Sequence, residues 1–268
     1  MVYETILLEY PADGVALITL NRPERGNGVV PEMAADLIDA LNKLEADTDI
    51  RVFVVTGAGK QFCAGADLVE FQKYLLEQHA ESQEPYNARV LWPVTQRFVT
   101  CRLPIIAAIN GGATAGGLDL ALACDIRIAS TAAKMGETYI KLGLNPGNGG
   151  TYFLPRLVGS GMAAEMALTG DLVDAERGLA IGLVNHVVAP DALIETAISL
   201  AARIAERPRL AIEATKQQLR QSWHMDLVGS MNASFWGVAA LSYSDDLREG
   251  VAAALEKRPP VYNKKGDK

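Results

Sequence analysis

Two short turns carry the residues best suited to chemistry. Ala64-Gly65-Ala66-Asp67 and Ala115-Gly116-Gly117 each follow an apolar, strand-like stretch and each lead into a helical run. The first amides of a helix lack intrahelical partners, and the helix dipole favours negative charge there. Two such amides converging on one point would stabilise an enolate or a tetrahedral oxyanion. The same glycines also suit plain tight turns and close packing. Neither turn is a phosphate loop or a GxGxxG fingerprint, so residue types alone leave both readings open. Asp119 stands three residues after Gly116. About one helical turn separates them, which puts the carboxylate on the face of the turn where a proton would have to move.

Other chemistries find less support. The three histidines are His79, His186 and His224, and the sequence holds no GxSxG elbow for a serine hydrolase. Cys63, Cys101 and Cys124 form neither a disulfide framework nor a metal-ligand spacing, so buried thiols are expected and no metal is. The net charge of −7 argues against nucleic-acid binding. The first residues lack the basic and apolar regions of a signal peptide, and no apolar run reaches the roughly 20 residues of a membrane span. A cytoplasmic protein with no membrane partner is the expectation.

The elements that must position the two turns are legible as a pattern. Residues 3–10, 15–20, 51–56 and 104–109 read as strands, with Pro11-Ala12-Asp13-Gly14 as a hairpin-like turn. Pro31 suits a first helical turn, and Met33, Leu37, Ile38, Leu41 and Leu44 follow at helical spacing. The repeated strand–turn–helix order favours parallel pairing through right-handed crossovers. Residues 77–86 are polar and read as a mobile loop. From about residue 190 helical patterns dominate, at 191–206, 209–222, 227–243 and 245–257, with a frayed tail after 260. The expected organisation is an α/β core over 1–190 and a helical region over 191–268.

The chain resembles the enoyl-CoA hydratase/isomerase (crotonase-like) family along nearly its whole length. The landmarks fall in the family's order: Asn21-Arg22-Pro23 with Asn27, Phe62 through Leu68, Pro104 through Asn110-Gly111, Ala115 through Leu120, and Ala123-Cys124-Asp125. Leu142-Gly143, Pro146 through Thr151, Leu168-Thr169-Gly170, Gly182-Leu183-Val184 and Glu249-Gly250 through Pro259 complete the series. This resemblance implies a spiral of ββα units and a helical C-terminal region used for trimerisation, giving a homotrimer or homohexamer. It implies an acyl-CoA thioester as substrate, with no cofactor beyond coenzyme A itself. By position, the amides of Ala66 and Gly116 correspond to the family's oxyanion hole. Arg25, Ala64, Asp67, Leu68, Gly117 and Asn148 are implied to surround the substrate, and Lys257 to reach the anionic part of coenzyme A.

Against that family the acid–base residues depart. The first glutamate of a typical hydratase falls at Asp119, a carboxylate one methylene shorter. The second falls at Tyr139, whose phenol, with an ordinary pKa near 10, is a poor general base. Glu137, two residues earlier, is the nearest carboxylate and would share a face with Tyr139 only in a strand. Hydration of an α,β-unsaturated acyl-CoA through a stabilised enolate leads. Double-bond isomerisation and hydrolysis of a ring ketone or other acyl-CoA are alternatives within enzymes. A catalytically silent acyl-CoA binder is the alternative outside them.

Overall fold

The structure, a computed structural model, describes residues 3–77 and 85–262. Most of the polar stretch 77–86 and most of the tail after 260 therefore lie outside the described residues.

The chain opens with a hairpin, β1 (Ile6–Ala12) and β2 (Val15–Leu20), followed by α1 (Pro31–Ala46). Pro11 belongs to β1 rather than to the turn, which is Asp13-Gly14; the register slips between Glu9 and Ala12, where proline cannot donate to the ladder. Three units then repeat one plan. β3 (Val52–Gly57) and β4 (Gln61–Cys63) lead to α2 (Leu68–Glu77) and α3 (Tyr86–Thr100). β5 (Ile105–Ile109) and β6 (Gly112–Thr114) lead to α4 (Gly116–Ala123). β7 (Ile126–Ser130) and β8 (Lys134–Gly136) lead through a 3-10 turn at Thr138–Leu142 to α5 (Gly150–Val158) and α6 (Ser160–Thr169). β9 (Val173–Asp174), α7 (Ala175–Ala180) and β10 (His186–Val188) close the core. Four helices follow: α8 (Leu193–Ala205), α9 (Arg209–Gln221), α10 (Leu227–Leu241) and α11 (Asp245–Glu256).

In each unit the first strand joins a six-stranded sheet, ordered β1-β2-β3-β5-β7-β10, and the second joins a four-stranded sheet, β4-β6-β8-β9. This is the ββα spiral. The large sheet is parallel apart from its β1–β2 hairpin. Successive side chains point to opposite faces, so Phe53, Val55, Ile105 and Ala107 pack with α1, α3 and α4, while Val52, Val54, Ile106 and Ala108 pack against α8. Burial on both faces explains why these strands read as unbroken apolar runs. Each fully buried Leu, Ile or Phe among them contributes roughly 1.5–3 kcal/mol.

Helix α8, the first of the expected helical region over 191–268, packs on the large sheet. Leu193, Ala197 and Ala201 of α8 are buried against the sheet. Helix α9 is also tied down, with Lys216 buried, bonded to Leu103 O and paired with Asp125 at 2.7 Å. The part that stands away from the core is α10 and α11, where only Ala253 is buried. Among the described residues no helix is long and apolar enough to cross a membrane.

Candidate active site

The small sheet explains why distant residues meet. β4, β6 and β8 are parallel neighbours, with Cys63 opposite Ala113 and Thr114 opposite Gly136. The segments leaving their C-terminal ends therefore emerge side by side: Gly65-Ala66, Ala115-Gly116, and Glu137 to Tyr139. The first two touch. Gly65 has φ +94°, and a Cβ there would lie 2.9 Å from Gly116 N. Ala115 holds a left-handed φ of 48° and is pinned by its N–H to Gly136 O at 2.9 Å. Such a conformation costs of order 1–3 kcal/mol and persists only where its surroundings enforce it. Here it starts α4 with the Gly116 amide in its first position.

Ala66 is framed differently. Val29 N–H donates to Gly65 O at 2.7 Å, and Asp67 N–H to Val29 O at 3.2 Å. The Ala66 amide between them is left unused. Among the described residues, neither Ala66 N–H nor Gly116 N–H donates a hydrogen bond within the protein.

Asp119 lies on the first turns of α4 and is wholly buried, as is Glu137; Tyr139 and Asn148 are nearly so. The Tyr139 hydroxyl donates a short bond to Asp119 Oδ2 and accepts from Asn148 Nδ2 at 2.5 Å. It also lies 3.3 Å from where a Cβ on Gly116 would stand, so the phenol adjoins the free amide. Asp119 Oδ1 points the other way, towards Glu137. A Cβ on Gly150 would fall 2.5 Å from Asp119 Oδ1 and 2.6 Å from Glu137 Oε1, so only glycine fits between the carboxyls. Glu137 is not in a strand, as its expected alignment with Tyr139 required. It immediately precedes the 3-10 turn that carries Tyr139, and both residues nevertheless reach Asp119.

The electrostatics follow from this burial. Glu137 is pushed well above the ordinary carboxylate range, first by burial and then by the Asp119 charge. Asp119 is raised too, by burial, against an opposing pull from the Tyr139 and Asn148 bonds. Tyr139 is driven far above the usual phenol range, again by burial first. Written as ionised, Asp119 Oδ1 and both Glu137 oxygens have no donor among the described residues. The amides of Asn148 and Gly150 come near enough to favour the Asp119 charge, but not with hydrogen-bond geometry.

The other expected site residues take mixed roles. Asp67 has both oxygens engaged: Oδ2 pairs with Arg22 at 2.9 Å, while Oδ1 accepts from Val69 N–H and Glu70 N–H. It caps α2 and anchors the first turn, so its carboxylate is not free for substrate. Gly117 is a packing position, since a Cβ there would lie 1.9 Å from Cys63 O. Arg25, Ala64 and Leu68 are exposed around the first turn. Lys257 is exposed and ends α11 in a left-handed conformation. All three cysteines are buried; Cys63, nearest the site, is pushed up to about 12 by burial, which makes it a poor nucleophile. His186 is exposed, His224 bonds Tyr152 at 2.8 Å, and His79 lies outside the described residues. Leu91 and Gly150 were not foreseen: Leu91 Cδ1 would stand 2.9 Å from a Cβ on Gly116. Neither carries a sequence signal beyond helical spacing or a glycine-rich turn. An apolar cavity of about 630 Å³ between the sheet edge, α9 and Trp223 contains none of these groups.

Known proteins share both sequence and architecture. Residues 11–265 match the family model for enoyl-CoA hydratase/isomerase. The chain is 42% identical to (E)-benzylidenesuccinyl-CoA hydratase from Thauera aromatica, over 92% of this chain and 95% of that protein. It is 35% identical to crotonyl-CoA hydratase from Syntrophomonas wolfei subsp. wolfei, over 96% and 97%. The crystal structure of enoyl-CoA hydratase from Bacillus anthracis superposes with a TM-score of 0.90 at 33% identity, covering 97% of this chain and 99% of that one. The ββα spiral, the paired turns and these matches together establish that the chain belongs to the enoyl-CoA hydratase/isomerase family.

Proposed function

We propose that the protein adds water across the double bond of an α,β-unsaturated acyl-CoA. The observation that carries this reading is the Asp119–Tyr139 hydrogen bond, buried directly beside two unused amides. The relatives named above as hydratases support it.

The thioester oxygen would accept from Ala66 N–H and Gly116 N–H, which draws electrons from the double bond. Water attacks the β-carbon and gives a proton to Asp119, and the two amides hold the resulting enolate. The Tyr139 hydroxyl protonates the α-carbon and is reprotonated by Asp119 through their bond. One water is consumed and each protein group returns to its starting state. Because the phenol is held far from ionisation, loss and return of its proton must be concerted. Coenzyme A is part of the substrate, and no further cofactor takes part. The exposed surroundings of Arg25, Ala64 and Leu68 suit the approach of the coenzyme, with Lys257 meeting its anionic groups from the same or a neighbouring subunit.

The same reading includes a homotrimer or homohexamer. Leu227, Met231, Phe235, Trp236 and Val238 of α10 are all more than 60% exposed. So continuous an apolar surface marks an interaction site. The three buried thiols suit the reducing cytoplasm.

Incubating the protein with a panel of enoyl-CoA thioesters tests the reaction by mass. Gain of one water supports hydration. A moved double bond at unchanged mass would replace it with isomerisation, release of free coenzyme A with hydrolysis, and bound but unaltered thioester with a silent binder.

A further inference from the structure

Glu137 is a buried carboxyl for which the hydration scheme has no direct use. It belongs to the segment leaving β8, faces Asp119 from the side opposite Tyr139, and is sealed from solvent. The contact is built into the backbone. The α5 helix starts at Gly150, and any side chain there would collide with both carboxyl oxygens. The titratable groups facing Glu137 are Asp119, from α4, and Tyr139, from its own turn. Among the described residues no ion pair includes Glu137 or Asp119, although Asn148 and Gly150 orient polar backbone towards Asp119. Unit charges about 4 Å apart repel by about 4 kcal/mol even at an effective dielectric near 20, so two such carboxyls retain one proton through neutrality.

We propose that Glu137 is a positioning residue that shares one proton with Asp119 Oδ1 and thereby fixes Asp119 as the base presented to Tyr139 and the substrate. The protonated Glu137 donates to Oδ1, which leaves Oδ2 to accept from Tyr139. The base is then a single carboxylate whose second oxygen is already occupied, oriented along the line that leads to Gly116. Protonating Asp119 removes the base. Deprotonating Glu137 removes the donor and sets two charges against each other. The active form is the singly protonated pair, and the pair titrates as one unit.

The mechanistic part of this proposal rests on the hydration reading, so the test has two readouts. The first is infrared difference spectroscopy on the intact protein without substrate. A protonated buried carboxyl gives a carbonyl band above the amide band, and the band should be present at neutral pH, fade as pH rises, and vanish in Glu137→Gln. The absence of the band in the wild type, or its survival unchanged in Glu137→Gln, would overturn the proposal. The second is the pH profile of turnover. The wild type should show an acid and an alkaline limb. Glu137→Gln, which keeps a donor to Oδ1 but cannot titrate, should stay within about tenfold at the optimum and lose the alkaline limb. Glu137→Ala, which loses the donor, should shift the acid limb to higher pH. An unchanged alkaline limb in Glu137→Gln, or a loss of turnover there as large as in Asp119→Asn, would contradict action through Asp119. Should no thioester gain water, the hydration reading fails while the infrared band still decides the shared proton.

Discussion

The proposed catalytic face of the core and the helical end of the chain are unfinished in opposite ways. Around Asp119 the protein buries polar atoms it does not satisfy: Asp119 Oδ1, both Glu137 oxygens and Asn148 Oδ1. Along α10 it exposes apolar side chains it does not cover, Leu227 at 76% and Trp236 at 71%. Each feature is unfavourable for an isolated chain. The first has a rigid frame behind it, made of short parallel strands, a strained Ala115 and glycines that exclude any side chain. The second has almost none, since α10 meets little beyond α9 and the turn before it. The buried carboxyls are thus held by a rigid frame, while α10 presents an apolar face with little behind it.

The largest effect should come from breaking the first region's chemistry. Asp119→Asn should lower turnover by roughly 10²–10⁴ while acyl-CoA affinity changes less than about tenfold. Tyr139→Phe should fall in the lower part of that range if it relays the α-proton. Steady-state kinetics and a binding titration separate the two quantities, and normal turnover in Asp119→Asn on a true substrate would refute the assignment.

Next in size is the frame. In Gly117→Ala the new methyl would sit 1.9 Å from Cys63 O, a backbone atom that cannot swing aside. Overpacking of this kind costs about 1–3 kcal/mol or more, which denaturant unfolding will register. An unchanged midpoint would mean that the two turns are not locked together.

A pH-dependent effect ties the site to stability. The Glu137 carboxyl is raised in the folded protein, so the folded state binds its proton more tightly than the unfolded chain does. Its contribution is full below the unfolded pKa, near 4, and is lost as pH climbs through the folded value, at up to about 1.4 kcal/mol per pH unit. Glu137→Gln should therefore become more stable relative to wild type as pH rises from 5 to about 8. A difference that stays flat across that range would count against a raised Glu137.

The outer region should give the least change to the folded chain. Trp236→Glu should split the oligomer, seen by light scattering, while shifting the intrinsic stability of the core by no more than about 0.5 kcal/mol. Retention of the full assembly would remove α10 from the interface.

Much of this arrangement was legible in the residues. The strands read at 51–56 and 104–109 announced themselves as apolar runs between turns, and helices such as α1 and α9 as amphipathic spacing. Helix α10 forms despite Gly229 and Gly237, since each glycine costs only a few tenths to about 1 kcal/mol in a helix. Asp119 could be set beside the Gly116 turn because three residues along a helix is a fixed geometry, whereas the pairing of the two amide turns came from the family resemblance. The link between Asp119 and Glu137 could not, because it depends on a 3-10 turn and on Gly150 arriving from another segment. The small sheet was also hidden, since strands of two or three residues leave no periodicity to read. Asp67 was expected around the substrate through the family resemblance, and its carboxylate is engaged by Arg22 and the α2 cap.

The proposed site holds one carbonyl oxygen between Ala66 and Gly116 while Asp119 and Tyr139 act beside it. Determining the structure with an unreactive acyl-CoA bound tests this most directly. The thioester oxygen should lie within about 2.7–3.1 Å of both amides, with the Tyr139 hydroxyl turned to the α-carbon. A thioester seated elsewhere, for instance in the apolar cavity beside Trp223, would contradict it.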